Sequence, residues 1–414
     1  AYSMPHHTTL SNFISSLEKE VSSIFLQVLS VCYKHGLIGS EMFAIDGCKL
    51  PGNASKEWSG TKADFRRKKK KLEIAIDRIL DKHRQQDCSF DTQTSKDSDL
   101  ECIQSLQKDI DKISAFLEHN DDRIGLRGKA VKSNITDNES AKIHSSKGVI
   151  QGYVGVATVD KKHLVIVNAE AFGQGSEKDL LIPSIESTRN NFTTLEGGKN
   201  SLAGVKIVAD NGFHSESNMS YIFSENRDGY VADKEYRRRD MRFASSERYI
   251  ELQKNKVKKG KKFTPADFTF PADLSYCICP AGQRLYRSGG NTKVKDYQAV
   301  KFKGPKSSCV PCFLRKRCLR KPEKTEIRQV AYLTGKKRNG LVRFTEKMKA
   351  KIDTEAGRTI YGLRLVVGEP PFANIRSNFQ LDRFSLRGKN KVNTQWNLFC
   401  IFHNLMKLHK YGGS

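Results

Sequence analysis

Three acidic residues occupy positions where an ionised side chain is costly unless a cation or hydrogen bonds compensate it. Asp46 closes the apolar run Met42-Phe43-Ala44-Ile45, and Asp210 closes Val205-Lys206-Ile207-Val208-Ala209. Both runs read as buried strands with a carboxylate at the tip. Glu369 precedes Pro370-Pro371, residues that suit the first turn of a helix. In the plain reading the two Asp are turn formers or helix caps, and the Glu complements a helix dipole. In the chemical reading the three are oxygen donors for a hard cation such as Mg²⁺, which keeps several waters and needs few carboxylates. Tyr361, Arg364 and Arg376 flank Glu369 in the sequence and suit phosphate, Arg with a bidentate fork and Tyr with a hydroxyl donor.

Cysteines form the second constellation. Of ten, Cys32, Cys48, Cys88, Cys102 and Cys400 are scattered, and five cluster between Cys277 and Cys318. Cys309-x₂-Cys312 has the spacing of a zinc half-site, and four thiolates make a closed structural Zn²⁺ site. Ala1 to Leu10 lacks the basic-then-apolar pattern of a secretion signal, which favours a metal knuckle over a disulfide framework. The plain alternative is free thiols in a basic loop.

The background charge fits phosphate chemistry. In 414 residues, 72 Lys and Arg oppose 46 Asp and Glu, for a net charge of +26. Such an excess drives salt-dependent binding to nucleic-acid backbones, with membrane surfaces and ribosomes as the main competing partners. No apolar run approaches the ~20 residues needed to span a bilayer. These features place the chain in the cytoplasm, at the nucleoid. The chain does not begin with Met and Met4 lies inside it, so a missing upstream part is expected.

The elements that must position these residues follow from periodicity. Residues 11–38 read as one amphipathic helix, N-capped by Ser11 and ended by Gly36. Residues 61–121 read as a long helical hairpin with a polar break at Ser89–Ser98. Its first helix carries the basic run Arg66 to Lys71, in which Arg66, Arg67 and Lys68 are candidate DNA contacts. Val149–Asp160 and His163–Phe172 read as a strand hairpin turning at Lys161-Lys162. A helix (Asp179–Arg189), the Asp210 strand, a helix (Glu216–Asn226) and a strand (Gly229–Ala232) follow. That order predicts an α/β fold with a mixed sheet. Tyr236 to Arg328 reads as basic and irregular, and 342–411 as mainly helical.

At this point the motifs resemble a known family. Ala44-Ile45-Asp46-Gly47 with Gly52-Asn53-Ala54-Ser55, Val208-Ala209-Asp210-Asn211-Gly212-Phe213 and Gly368-Glu369-Pro370-Pro371-Phe372 are similar to blocks of bacterial insertion-sequence transposases with a DDE catalytic domain. So are Thr136-Asp137, Gly152-Tyr153, and the ending Arg387-Gly388-Lys389, Trp396, His403-Asn404-Leu405. The resemblance runs from about His6 to Lys410. It implies an RNase H-like mixed sheet flanked by helices, with a helical-hairpin insertion and a cysteine-rich insertion. It implies two divalent ions, Mg²⁺ or Mn²⁺, held by Asp46, Asp210 and Glu369. Tyr361, Arg364, Glu369 and Arg376 match the Tyr-Arg-Glu-Lys-type signature of a large branch of these enzymes. Two departures are visible: four residues separate Arg364 from Glu369 where that signature has three, and Asp46-Gly47-Cys48-Lys49 has Cys in place of the usual Thr. The family's Cys-Pro-x-Gly and later cysteines point to Cys279, Cys309, Cys312 and Cys318 as zinc ligands, with Cys277 spare.

The domain plan that results has a helical N-terminal remnant over 1–40 and a first part of the core over 41–235, interrupted by the insertion 56–135. The cysteine-rich insertion covers 236–330, and a helical part completing the core covers 331–414. The implied activity is cleavage and joining of DNA strands at the ends of an insertion sequence, with terminal inverted repeats and target DNA as partners and a homodimer in the synaptic complex. Two alternatives stay open: an RNase H-like nuclease that does not transpose, and a catalytically decayed DNA-binding protein.

Overall fold

A computed structural model of the chain describes residues 5–86, 93–124, 130–145, 148–195, 202–245, 247, 250, 262–294, 297–333 and 343–413. Met4, Cys88 and the start of the polar break at Ser89 lie outside the described residues. The chain divides into two compact units, Ala1–Asp233 with Met348–Ser414, and Lys234–Lys347.

The first unit is built on a mixed six-stranded sheet. Its centre is β1 (Met42–Pro51), whose first four residues are all buried. A run with no polar alternation is what a strand covered on both faces requires. β1 pairs antiparallel with β5 (Gly148–Asp160) and parallel with β7 (Lys206–Ala209). β5 carries β6 (Ile166–Phe172) and β4 (Ala141–Ser145), both antiparallel, and β7 carries β8 (Asp228–Val231) in parallel. The path β6-β5-β1-β7-β8, three antiparallel strands followed by two parallel ones, is the RNase H-like α/β arrangement. The residues after Asp160 make the tight connection expected at Lys161-Lys162. The edge strand β4 has no counterpart in the sequence reading.

Helices cover both faces. α5 (Leu181–Leu195) packs on one side, where Phe192 meets Phe43 with ring centroids 5.3 Å apart. On the other lie α8 (Glu355–Ala373) and α9 (Lys389–Tyr411), helices that follow α6 (Glu216–Ser224) and α7 (Phe344–Asp353) in the chain. Trp396 of α9 is fully buried over Gly155, and its indole N–H donates to the Val156 carbonyl at 3.0 Å. Asn404 works like a third strand edge. Its side-chain oxygen accepts from the Ile166 N–H and its amide donates to the Ile166 carbonyl, each at 2.8 Å.

The N-terminal helix differs from expectation. It is two helices, α1 (His7–Ser16) and α2 (Val21–Lys34), broken at 17–20, and the first is capped by His6 rather than Ser11. Gly36 follows the second with φ +66°, the left-handed conformation that glycine adopts most cheaply. The helical hairpin is present as α3 (Lys62–Gln86) and α4 (Gln93–His119), so α4 begins inside the stretch read as a polar break. Its base has a small core of its own, Phe65, Ile113 and Phe116, with Trp58 and Ile135 packed against it. Beside it, β2 (Ser59–Gly60) pairs with β3 (Ser133–Asn134) and closes the insertion back onto the sheet side.

The second unit corrects the reading of 236–328 as irregular. It contains a four-stranded antiparallel sheet ordered β12-β11-β10-β9: β9 (Tyr276–Ile278), β10 (Arg284–Val294), β11 (Tyr297–Lys303) and β12 (Gln329–Leu333). The expected boundary at 330 therefore cuts through β12. Phe268, Cys277, Leu285, Val300, Phe302 and Val330 form its core. The strands escaped notice because Arg284, Arg287, Lys301 and Lys303 and the irregular pairing around Gly289 interrupt the apolar alternation.

Candidate active site

Asp46 is not at a strand tip. β1 runs on to Pro51, because β5 is long enough to pair with it as far as Gly152. Asp46 lies on the face of β1 that also carries Ala44, and both sit under Gly368 of α8. Asp210 immediately follows β7, which neighbours β1 in parallel, so the two carboxylates emerge side by side from adjacent strands. Glu369 is not at a helix start either. It lies in the penultimate turn of α8, a helix capped by Thr354, with Pro370 and Pro371 inside it. The prolines have no N–H to give to the carbonyls four residues back, and the backbone relaxes into a π-turn over Asn374–Asn378 that carries Arg376.

Arg364, one turn and a half before Glu369 on α8, joins the site together. Its Nη1 lies 3.1 Å from Asp46 Oδ2 and its Nη2 3.5 Å from Asp210 Oδ1. Its side chain is only 9% exposed, so it reaches carboxylates where the sequence suggested phosphate. Burial weakens its charge, but Asp210, Asp46, Tyr361 and Glu369 together hold its pKa above the ordinary arginine value. Tyr361 is almost buried, with the guanidinium carbon 6.0 Å from its ring centroid. Burial pushes the Asp46 carboxyl up to about 6; Arg364 and the Gly47 N–H pull it down, and Asp210 and Glu177 add to the rise. Asp46, Glu369 and Arg376 line one cleft of about 400 Å³, together with Cys48, Ser377 and Asp382. Glu369 and Arg376 are exposed there.

The sequence reading missed Glu177, Lys49 and Asp382. Glu177 packs against Gly212 beside Asp210 and pairs with Lys49 at 3.1 Å. Lys49 stands in the Asp46-Gly47-Cys48-Lys49 block without a role assigned to it there, and Glu177 sits in a polar turn with no periodic signal. Cys48, the residue that departs from the family pattern, is a half-buried neutral thiol with its pKa pushed up to about 12 by desolvation.

The cysteine reading meets a concrete cavity. Cys279, Cys309, Cys312 and Cys318 ring a small void of about 30 Å³ in the second unit, closed by Leu285, Arg315 and Arg328. Cys277 is apart from them, fully buried in the sheet core. Among the described residues, no three His, Cys, Asp or Glu side chains are already drawn together at metal-holding distances, at either place.

Of the basic run, the structure leaves less free than its composition suggests. Lys68 folds over the Trp58 ring, 3.6 Å from its centroid, and Arg67 is paired with Asp64 at 2.5 Å. Arg66 is exposed.

Comparison with protein families bears on the later part of the chain. Residues 278–409 match the transposase DDE domain. The DDE match takes in Glu369, Arg364, Arg376 and the four cysteines, and leaves Asp46 and Asp210 to be assigned by geometry alone. It supports a transposase, an enzyme class that acts on DNA and generally uses divalent metals. No curated protein matches the chain. Among the described residues, no helix is long and apolar enough to cross a membrane.

Proposed function

We propose that the protein cuts and joins DNA strands as a DDE transposase, with Asp46, Asp210 and Glu369 as its catalytic carboxylates. The observation that carries this reading is that Asp46 both pairs with Arg364 beside Asp210 and shares a cleft with Glu369. The donor chemistry fits Mg²⁺ or Mn²⁺: hard oxygens on a rigid strand pair and helix, one of them a carboxyl whose pKa burial, Asp210 and Glu177 raise to about 6 and a cation would lower again. When bound, the ions supply activation of a water or a 3′-hydroxyl and stabilisation of the departing 3′-oxygen in an in-line displacement.

The chain's own residues do the rest. Arg364 neutralises Asp46 and Asp210 and holds them side by side on neighbouring strands, and it competes with any cation for their oxygens. Arg376, exposed at the cleft, is the phosphate grip for the DNA end, while Tyr361 supports Arg364 from beneath. Hydrolytic nicking and strand joining differ only in the attacking oxygen, so one site serves both and no covalent protein–DNA bond is needed. Terminal inverted repeats and target DNA are the expected substrates, and a homodimer the expected synaptic form. Cys279, Cys309, Cys312 and Cys318 are the proposed Zn²⁺ ligands, which would close around the void they already line, with a purely structural role.

Plasmid nicking with Mg²⁺ or Mn²⁺, followed by joining of precut repeat-ended DNA, tests the proposal. Both activities are expected, and both should vanish with chelator. Nicking without joining would make the protein an RNase H-like nuclease. DNA binding with neither activity would make it a binding protein on a transposase scaffold.

A further inference from the structure

The cysteine loop exposes a ring that its fold does not need. Phe313 is 85% exposed, the most exposed aromatic side chain among the described residues. Among those residues no aromatic or cationic group covers it. Val310, 47% exposed, and Pro311 extend the same apolar tip. A phenyl ring left in water forfeits the burial that would stabilise it, so a large exposed aromatic on a stiff mount marks a contact surface.

The mount is stiff. Arg315 donates to the carbonyls of Cys309, Glu326, Pro322 and Thr325 at 2.7–2.9 Å, tying both arms of the loop together. Arg328 donates to the carbonyls of Cys318 and Phe263, each at 3.1 Å. The ring is thus presented by a backbone already ordered, and little entropy remains to be lost on contact.

Its surroundings select the partner. Between residues 305 and 328, eight Lys and Arg stand against two Glu, and one of those, Glu326, is paired with Lys306 at 2.7 Å. Lys316, Arg317, Arg320 and Lys321 are all exposed around the tip. Protein interfaces deplete lysine at their centres, whereas an aromatic wedge set among cations is the arrangement that enters a base stack while the cations hold phosphates.

We propose that Phe313 is a base-stacking wedge, inserted into DNA at an unpaired or easily unstacked step and steadied by the cations around it. The inference rests on the reading of the protein as DNA-binding and adds a residue that reads base pairing rather than backbone charge.

The test uses the full chain and two duplexes of the same sequence, one fully paired and one with a central mismatched 2-aminopurine. Wild type should prefer the mismatched duplex and change its fluorescence. Phe313→Ala should lose about tenfold of that preference, the scale of one stacked base. It should keep its salt dependence and its melting temperature. Phe313→Trp should restore the preference. Wild type that binds both duplexes equally, or a Phe313→Ala protein indistinguishable from wild type on both, overturns the wedge while leaving DNA binding intact. A Phe313→Ala protein unchanged on DNA but altered in self-association reassigns the tip to a protein contact. Wild type that binds neither duplex removes the proposed function itself.

Discussion

The carboxylate cleft draws on parts of the chain that meet only in three dimensions: Arg364 bonds Asp46 across 318 positions. The cysteine void draws on one short stretch, with three of its four thiols inside Cys309–Cys318. The first depends on a sheet and two helices being packed before any acid is in place. The second depends on local turns and on a sheet with its own core. Chemistry in the cleft and stability in the loop should therefore be separable by mutation.

The largest effect expected is on cleavage. Glu369→Gln should lower plasmid nicking and end joining by at least about 100-fold, the scale of losing one charged group at a reacting centre. Glu369 is exposed, so the melting temperature and DNA affinity should hold. A variant that still cleaves at the wild-type rate takes Glu369 out of the site. The Cys309→Ser, Cys312→Ser double variant should show the reverse pattern. It should lose zinc by elemental analysis and about 3 kcal/mol or more from the unit Lys234–Lys347, seen as an early melting transition of roughly 10 °C or more. A metal-free wild type that melts identically with and without chelator would leave these thiols as ordinary packing.

A third measurement probes the scaffold of the cleft through pH. His403 of α9 is buried and neutral: its Nε2–H donates to the Leu164 carbonyl at 2.9 Å, and its Nδ1 accepts from the Asn374 amide at 3.1 Å. Burial pulls its pKa from 6.5 down to about 4. The unfolded chain therefore takes up the proton first as pH falls. The His403 contribution is complete above about pH 6.5 and disappears as pH falls through about 4, about 3 kcal/mol in all. Urea unfolding from pH 7 to pH 4 should be flatter for His403→Gln than for wild type by that amount. Equal slopes would mean the imidazole is already charged in the fold. Asn374 belongs to the turn that carries Arg376, so this bond also steadies the phosphate grip.

The smallest effect concerns α3. With Lys68 on Trp58 and Arg67 on Asp64, substituting Arg66, Arg67 and Lys68 together should cost only a few-fold in DNA affinity on all sequences. The slope of log K against log salt should fall by about one contact's share, ~0.9, rather than three. A loss of three contacts would mean that DNA pulls Lys68 and Arg67 from their present partners.

Much of the fold was legible because its central strands are apolar on both faces. Met42 to Ile45 and Ile207 to Ala209 announce buried strands, and the residue that follows each run is the acid. The end of β1 was misread because Gly47, Cys48 and Lys49 interrupt the apolar pattern while the backbone goes on pairing with β5. Glu369 was misplaced because two prolines usually open a helix, whereas here they strain its close. Arg364 looked like a phosphate ligand by type, and only the packing of α8 over β1 shows which anions it meets. The sheet of the second unit was hidden by basic residues that break its alternation, although the half-site Cys309-x₂-Cys312 within that unit was visible by spacing and the other cysteines through the family resemblance.

The span between Asp46 and α8 sets a timetable for biosynthesis. At about 5–20 residues per second, the ribosome adds Arg364 roughly 15–60 s after it adds Asp46. Throughout that interval β1 and β5 wait without α8 or α9 over their second face, an apolar surface that nascent-chain chaperones are suited to shield. The proposed strand-cutting site thus stays incomplete until α8 is made, and one of the two helices that cover the sheet also completes the cleft.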